Sequence, residues 1–455
     1  MSNPVEVRIP QHLWGPLWDE VRRFGAYEPV VFGLVSHSET SRRTLLLVQE
    51  IVIPPGSAFV RNTGHGAKWS GEYNIALLNQ ALERRLGILI FHYHPSTGRV
   101  GMSMDDADSA RQLLPTFQMV APGRPHGSVV LGDTSAAGLI LLPSASLLVD
   151  NLRLRFFSDT LIRTLPEPEA STDDLQVHCR QPLVDGKLSR ASLRGAVVVV
   201  VGLSGGGTQV ATQLAGLGVG EIIGIDSQRV TRDNLVATDE FGWADILLRR
   251  RKTDSVKSKI WWINRQVRFT AVDALVPEKA AIEALKRADI IVGCVNNLNA
   301  RADLQEIAWR YCIPYVDIGL GLHPLDPSDG LSEVGAISGN VFVAVPGGAC
   351  LWCTGFLTQR KLELEAGGAD RSYLRANCSR GHEHRSAAYV ASFNAVLAGL
   401  AVGDVLQLIL GYAPGLATRK QYDALCGTVS EVLVEKSQEC PRCASVLAAG
   451  DPVWE

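Results

Sequence analysis

His92-Tyr93-His94-Pro95, followed by Ser103-Met104-Asp105-Asp106, is a set of residues able to hold a hydrolytic metal. Two histidines separated by one residue at a strand end project both imidazoles from the same face. Asp106, in the first turn of the helix that follows, adds a carboxylate. Such a set leaves the fourth position of a tetrahedral zinc open to water, and zinc lowers that water's pKa to about 7. Glu28, at the mouth of the strand Val30–Val35, is the candidate base that takes a proton and passes it to a leaving amine. Ser103 is placed to hydrogen-bond an oxyanion. The plainer reading is a strand end, with Ser103 merely capping the helix that carries Asp106.

A second set starts where the apolar run Ala196–Val201 empties into Gly202-Leu203-Ser204-Gly205-Gly206-Gly207. Glycines between a strand and a helix leave backbone N–H groups and the positive helix end free for phosphate. Asp226 ends the next strand, where an acidic side chain binds ribose hydroxyls. A nicotinamide or flavin enzyme carries much the same pattern. Downstream come Asn234-Leu235, then Asp254-Ser255-Val256-Lys257-Ser258-Lys259, and Cys294-Val295-Asn296-Asn297 with Arg301. Cys350-Leu351-Trp352-Cys353 and Cys440-Pro441-Arg442-Cys443 are paired thiols that, brought together, make a four-cysteine structural zinc site. Pro441 favours a tight turn at metal over a redox dithiol.

Of the remaining cysteines, Cys294 ends a core strand and Cys312 begins another, which implies two inert thiols; Cys179 and Cys426 have no chemical context. Cys378 lies in the polar, basic stretch Asn377–Arg385, and neighbouring arginine and histidine lower a thiol's pKa and make it a nucleophile. The alternatives are an incidental exposed cysteine, or histidines that bind metal.

The elements that must position these residues belong to an ordinary globular composition. The chain has 455 residues, 46% hydrophobic and 20% charged, with formal net charge −3. That balance points to neither nucleic acid nor an anionic membrane as partner. Met1–Glu6 has no basic or apolar leader character. The apolar stretch Ala387–Tyr412 is interrupted by Asn394, Asp404 and Gln407 and reads as a buried helix. A cytoplasmic location is expected, in keeping with nine cysteines spaced for metal or thiol chemistry.

Periodicity predicts a helix over Gln11–Phe24, strands at Val30–Val35 and Thr44–Ile53, a helix over Gly71–Arg85 and a strand at Gly87–Phe91. A helix from Ser103 and strands near Gln118–Val120, Ser128–Leu131 and Gly138–Leu142 complete an α+β domain, residues 1–148. A linker over 149–185 is marked by Pro166-Glu167-Pro168-Glu169 and Ser171-Thr172-Asp173-Asp174. Over 186–455, strands near 196–201, 221–225, 269–273, 289–294 and 314–318 alternate with helices, which implies an α/β doubly wound parallel sheet.

The first set resembles the JAMM (MPN-plus) metalloproteases, whose pattern is Glu…His-x-His-Pro…Ser-x-x-Asp. That resemblance implies zinc on His92, His94 and Asp106, Glu28 as base and Ser103 at the oxyanion, in a peptidase for ubiquitin-like proteins. The His-to-Ser gap is one residue longer than the commonest form, which leaves Asp105 as a competing ligand; separately, Glu50 on another strand competes with Glu28 as base. The second set, over about 178–455, resembles the ThiF/MoeB type of ubiquitin-activating-enzyme-like adenylyltransferase. The resemblance implies ATP and magnesium, with phosphates on Gly202, Ser204, Gly205, Gly206 and Gly207, ribose on Asp226, and the triphosphate on Asn234 and Lys259, the latter preferred to Lys257. It implies a four-cysteine zinc, a thioester on Cys378, a ubiquitin-like partner, a conjugating enzyme and a homodimer in which Arg180 reaches the neighbouring nucleotide. Three positions depart from the pattern. Ser204 stands for glycine, Ala237 for arginine (a loss the run Arg249-Arg250-Arg251-Lys252 could replace), and Asn296 for the magnesium-binding aspartate. The chain is therefore expected to be a bifunctional enzyme that activates and processes one ubiquitin-like protein. The alternatives are sulfur-carrier activation for cofactor biosynthesis, or a scaffold with a weak nucleotide domain serving the peptidase.

Overall fold

The structure, a computed structural model, describes residues 4–23, 28–63, 66–96, 98–143, 148–149, 152–158, 161–165, 187–238, 240–324, 334–366, 390–413 and 415–451. Two compact units result. The first is Met1–Pro168 with Trp309–Cys312 and Ser445–Glu455; the second is Glu169–Ala308 with Ile313–Ala444.

The first unit is built on β1 (Val5–Ile9), β2 (Val31–Glu39), β3 (Thr44–Val52), β4 (Phe59–Thr63), β5 (Gly66–Trp69), β6 (Gly87–Tyr93), β7 (His126–Leu131), β8 (Ala136–Leu141), β9 (Leu148–Val149), β10 (Leu152–Ser158) and β11 (Leu161–Leu165). Nine of these strands form one mixed sheet in the order β11-β10-β1-β3-β2-β6-β7-β8-β9, and β4-β5 is a separate hairpin. The alternation in β1 sends Val5, Val7 and Ile9 into the core and turns Glu6 and Arg8 to the other face. Helix α1 (Gln11–Val21) lays Trp14, Leu17 and Val21 on that core, with Trp14 stacked on Phe156 at 3.5 Å between ring centres. Helix α2 (Gly71–Glu83) starts at Ser70, whose side chain accepts from Tyr73 N. Helix α3 (Met104–Val120) starts at Ser103.

Two expectations are corrected here. Gln118–Val120 is the last turn of α3 and no strand, because Ala110, Leu114 and Phe117 are buried at helical spacing and carry the helix through. The linker expected from residue 149 contains β9, β10 and β11. Leu152, Leu154 and Phe156 enter the first core, and β10 pairs in parallel with β1. The Pro-Glu and Ser-Thr-Asp-Asp markers lie outside the described residues, as does Arg180.

On the polar face of β1, the buried Glu6 carboxylate meets Arg8 (2.7 Å), Arg155 (3.5 Å) and Arg43. Burial opposes its charge, yet Arg155, Arg43 and Arg8 hold its carboxyl well below the ordinary range.

The second unit is built on β12 (Val197–Val201), β13 (Glu221–Ile225), β14 (Arg268–Val272), β15 (Ile290–Gly293), β16 (Tyr315–Pro324), β17 (Val334–Ala344), β18 (Arg419–Asp423) and β19 (Thr428–Val432). The sheet order is β14-β13-β12-β15-β16-β17-β18-β19. Its first five strands are parallel, as the strand–helix alternation implies. The last three run antiparallel. The helices are α4 (Lys187–Gly195), α5 (Gly205–Leu217), α6 (Asn234–Ala237), α7 (Trp243–Leu247), α8 (Lys252–Ile263), α9 (Lys279–Leu285), α10 (Leu298–Arg310) and α11 (Gln359–Ala366), followed by the long helix Ala391–Leu410. This last helix is long and apolar enough to cross a membrane by length and composition. Leu397, Ala401, Val405 and Leu408 are instead buried in the unit, and Asp404 pairs with Lys420 of β18.

The chain moves outward from β12 to β13 and β14, then returns to lay β15 on the other side of β12. That switch leaves a crevice outside the carboxyl ends of β12 and β15, which is where such sheets take ligands.

Candidate functional site

In the first unit, β6 delivers His92 and His94, and the start of α3 delivers Asp106. His92 Nε2 lies 3.4 Å from Asp106 Oδ1, and His94 Nε2 lies 3.5 Å from Asp106 Oδ2. Glu28 joins them, with one ligand atom from each of the four residues within 4.8 Å of the others. A tetrahedral ion with bonds of about 2.0–2.1 Å spaces its ligand atoms by roughly 3.3–3.4 Å. His92 Nε2 is buried and has no hydrogen-bond partner among the described residues. A buried imidazole nitrogen left open, facing a carboxylate at this spacing, fits zinc.

The competing residues lie elsewhere. Glu50 accepts from Arg84 and from Gln80 Nε2 (3.4 Å), and the cluster contains Asp106, not Asp105. Ser103 acts as the cap of α3. Its Oγ accepts from Asp106 N at 3.1 Å and donates to Asp106 Oδ2 at 2.6 Å, while Ser103 N donates to the same oxygen at 3.0 Å. Burial raises the Asp106 pKa, but His92 and Ser103 outweigh it and hold the carboxyl far below its usual range. The capping reading of Ser103 is thus borne out, and the same bonds orient the Asp106 carboxylate beside the two histidines.

In the second unit, the crevice is lined by the segments that leave the ends of the parallel strands. Gly202 turns out of β12 with φ +87°, and a Cβ there would meet Cys294 O at 2.6 Å. A Cβ on Gly207 would lie 1.9 Å from Gly202 O, whereas one on Gly206 would meet nothing within 4 Å among the described residues. Gly206 is therefore the open flank of the loop. Ser204 stands before α5 and makes no side-chain cap bond among the described residues; instead its Oγ accepts from Asn234 Nδ2 at 3.3 Å. Asn234 Oδ1 accepts from Thr231 N at 2.9 Å, so Asn234 ties its own turn to the glycine loop.

Asp226, just past β13, accepts from Leu203 N and Gln228 N, both at 2.8 Å. Beside it stands Lys252, its Nζ 3.8 Å from Asp226 Oδ2 and its side chain 4% exposed. Burial pushes the Asp226 carboxyl up and the Lys252 ammonium down, and each partly restrains the other. Lys259, expected at the triphosphate, stands farther along α8. Its side chain is 46% exposed and pairs with Glu240 at 3.3 Å, and on α8 it lies about 10 Å from Lys252 along the helix axis. The basic run does not form one patch: Arg250 faces Asp245, Arg251 faces Asp273 at 3.1 Å, and Lys252 faces Asp226. Asn296 is exposed in the turn between β15 and α10.

Sequence reasoning passes over two residues here. Lys252 is legible as the cation that opens a helix, but the adjacent arginines make it read as solvated surface. Asn394, whose Nδ2 would lie 2.3 Å from a Cβ on Gly205 and which donates to Ala237 O at 3.3 Å, carries no local signal.

Cys350, Cys353, Cys440 and Cys443 converge, with sulfur separations of 3.6 Å (350–353), 3.7 Å (350–440), 3.4 Å (353–443) and 3.3 Å (350–443). Zinc–sulfur bonds near 2.3 Å set a tetrahedral edge of roughly 3.8 Å. Hydrogen bonding from Cys443 lowers the Cys350 thiol to about 6 and drives Cys443 itself far up, so the cluster already favours a thiolate. Burial raises both Cys294 and Cys312 to about 12, which removes them as nucleophiles. Cys378 lies outside the described residues.

The Sulfur carrier protein ThiS adenylyltransferase of Escherichia coli is 23% identical over 286 residues, which cover 62% of this chain and 94% of that protein. The Ubiquitin-like modifier-activating enzyme 5 of Dictyostelium discoideum is 23% identical over 266 residues, 56% of this chain and 63% of its own length. The Molybdopterin-synthase adenylyltransferase of Salmonella typhimurium is 26% identical over 125 residues, 28% of this chain and 49% of that protein. Among solved structures, Escherichia coli MccB with ATP aligns at 20% identity and a TM-score of 0.47, covering 62% of this chain and 77% of that one. The family model described as ThiF family matches residues 178–442, more than half of the sequence. The glycine loop, Asp226, Lys252 and the first cysteine pair all fall inside that match, and the chain belongs to the ThiF family.

Proposed function

We propose that the chain uses ATP to adenylate the C-terminus of a small ubiquitin-like protein, and that its first unit cuts bonds to the same protein in a zinc-dependent hydrolysis. The observation that carries the first half is the convergence of the glycine loop, Asp226 and Lys252 at one end of the parallel sheet. The relatives named as a sulfur carrier protein adenylyltransferase and as a molybdopterin-synthase adenylyltransferase support it.

In this reading the amides of Gly205–Gly207 receive the phosphates and Asp226 takes the ribose hydroxyls on its remaining lone pairs. A carboxylate oxygen of the partner attacks the α-phosphorus. The acyl–phosphate bond forms as the bond to pyrophosphate breaks, and no proton is transferred. Lys252 offsets charge at the point where two anions must meet. Magnesium, when bound, supplies further charge neutralisation, with Asn296 offering an amide oxygen in place of a carboxylate. The acyl group then passes to a thiol. The sulfur–carbon bond forms, AMP leaves with its electron pair and the thiol proton goes to a base; Cys378 is the proposed acceptor, and a conjugating enzyme and a second copy of the chain are proposed partners.

For the first unit, residues 1–168 in place of 1–148, the supporting observation is the four-residue cluster with its open His92 nitrogen. His92, His94 and Asp106 would hold zinc, which supplies Lewis-acid polarisation of the scissile carbonyl. Glu28 takes a proton from the attacking water and delivers it to the leaving amine. Ser103 serves first as the helix cap and reaches an oxyanion with the same hydroxyl only by leaving Asp106 Oδ2.

ATP–pyrophosphate exchange in the presence of magnesium and a ubiquitin-like protein ending in glycine tests the adenylation; no exchange with any such partner overturns it. Sulfur-carrier activation is the second reading, favoured by the 94% coverage of the E. coli ThiS adenylyltransferase. Mass spectrometry of the product separates the two, since a thiocarboxylate marks sulfur transfer and a lysine-linked conjugate marks protein modification.

A further inference from the structure

Two helices open beside the crevice at the sheet switch: α5 after β12 and α10 after β15. Their amide ends differ. That of α5 has no acidic residue in its first turn and an open flank at Gly206. That of α10 is capped from within the unit. Leu298 N donates to Glu365 Oε1 at 2.9 Å; Asn299 N and Asn299 Nδ2 donate to Glu365 Oε2 at 2.9 and 2.6 Å. Ala300 N donates to Asn297 Oδ1 at 2.6 Å, and Arg301 N to Asn297 O at 3.4 Å. Three of the four amides that a helix start normally leaves open, those of Leu298, Asn299 and Ala300, are thus accounted for, and Arg301 N makes the first bond of the helix itself. Glu365 comes from the last turn of α11, far away in sequence, so this is a tertiary closure. The turn it seals is also held from behind, where Arg301 Nη2 donates to Val295 O at 2.9 Å and the guanidinium pairs with the buried Asp317.

We propose that Glu365 is a positioning residue for the nucleotide: its carboxylate closes the α10 amide end to phosphate, so that the triphosphate is received at α5 alone. Two rival positive helix ends on one crevice would let a polyphosphate seat in two registers. Only the α5 register lays the chain of phosphates past Asp226 and Lys252. The closure also fixes the Val295–Asn297 turn that presents Asn296. The proposal rests on the adenylation reading for its purpose, though the closure itself can be measured without turnover.

The test uses the full chain as wild type, Glu365→Ala, Glu365→Gln and Glu365→Ala with Leu298→Pro. Proline is tolerated at the first position of a helix and deletes one of the freed amides. Thermal unfolding is compared in sulfate and in chloride of equal ionic strength, alongside the KM for ATP in pyrophosphate exchange. Glu365→Ala is expected to show a larger sulfate-dependent rise in Tm than wild type, in which α5 alone takes the anion, and the Leu298→Pro addition to shrink the excess. Its KM for ATP rises about tenfold, with sulfate competing. Glu365→Gln, which keeps an acceptor oxygen and the packing, shows the same changes at smaller size and carries the test if the alanine variant fails to fold. Equal sulfate responses in wild type and in both single variants overturn the proposal. Absence of exchange in wild type sinks the adenylation reading and leaves the sulfate comparison still decisive for Glu365.

Discussion

Lys252 Nζ stands 3.8 Å from Asp226 Oδ2, one residue beyond the end of β13, and both side chains are withdrawn from solvent. Lys252 Nζ also donates to Gln228 Oε1 at 2.7 Å; in the proposed reading this buried lysine, at the open end of a parallel sheet, serves an anionic ligand. Lys259, two turns along the same helix, spends its charge on Glu240.

Replacing Lys252 by alanine is therefore expected to slow pyrophosphate exchange about 100-fold, the scale for losing a charge stabiliser at the reacting phosphate. Lys259→Ala should stay within about threefold, as for an exposed ion pair. Steady-state exchange assays on both variants, side by side, decide which lysine serves the triphosphate.

The two neighbouring glycines separate folding from binding. The Cβ of Gly206→Ala meets nothing beyond its own helix within 4 Å among the described residues, so its Tm should match or slightly exceed wild type. The added methyl still fills the flank where phosphate must approach, and the KM for ATP should rise about tenfold. Gly207→Ala drives a methyl to 1.9 Å from Gly202 O and should lower Tm by several degrees and abolish exchange. Calorimetry together with ATP titration reads both.

Metal content gives a third test. Purified protein should carry about two zinc ions per chain, one in each cluster. His92→Ala with His94→Ala should remove one and leave Tm little changed. Cys350→Ser with Cys353→Ser should remove the other and lower Tm, because a structural zinc contributes folding free energy directly. Elemental analysis that finds no loss from the histidine variant would sink the peptidase reading.

His126 supplies a pH dependence away from any metal. Its Nδ1 accepts from Ile88 N at 3.3 Å and its Nε2 faces Ala121 O at 3.1 Å, so the neutral ring is the bonded form. Burial depresses its pKa from 6.5 to about 4. The unfolded chain then binds the extra proton between those values. The contribution is complete above pH 6.5 and disappears as pH falls towards 4, on the order of 3 kcal/mol in all. Urea unfolding of the wild type should show that decline, and His126→Gln should flatten the part of the slope between pH 6.5 and 4.

Much of both clusters is readable in the chain because each depends on short spacing: His92 and His94 on one strand end, Asp106 in the next helical turn, and glycines between a strand and a helix. The parallel strands are legible for the same reason, as valine and isoleucine runs of fitting length. The features that escape are long-range. Leu152-Arg153-Leu154-Arg155 has strand alternation, but its burial depends on β1, far earlier in the chain, and the nearby Pro-Glu repeat suggests a linker. Asn394 and Glu365 reach the crevice from late helices, and local periodicity says nothing about where a helix end will dock. Glu28 is separable from Glu50 only by seeing Arg84 take the second carboxylate.

Glu6 shares its interior setting with Arg8, Arg43 and Arg155. Neutralising that single acid would strand several guanidinium groups in a dry environment, and removing one base would shift the balance for the others. An apolar side chain in place of the acid is thus tolerated only if the cationic neighbours are exchanged in the same step.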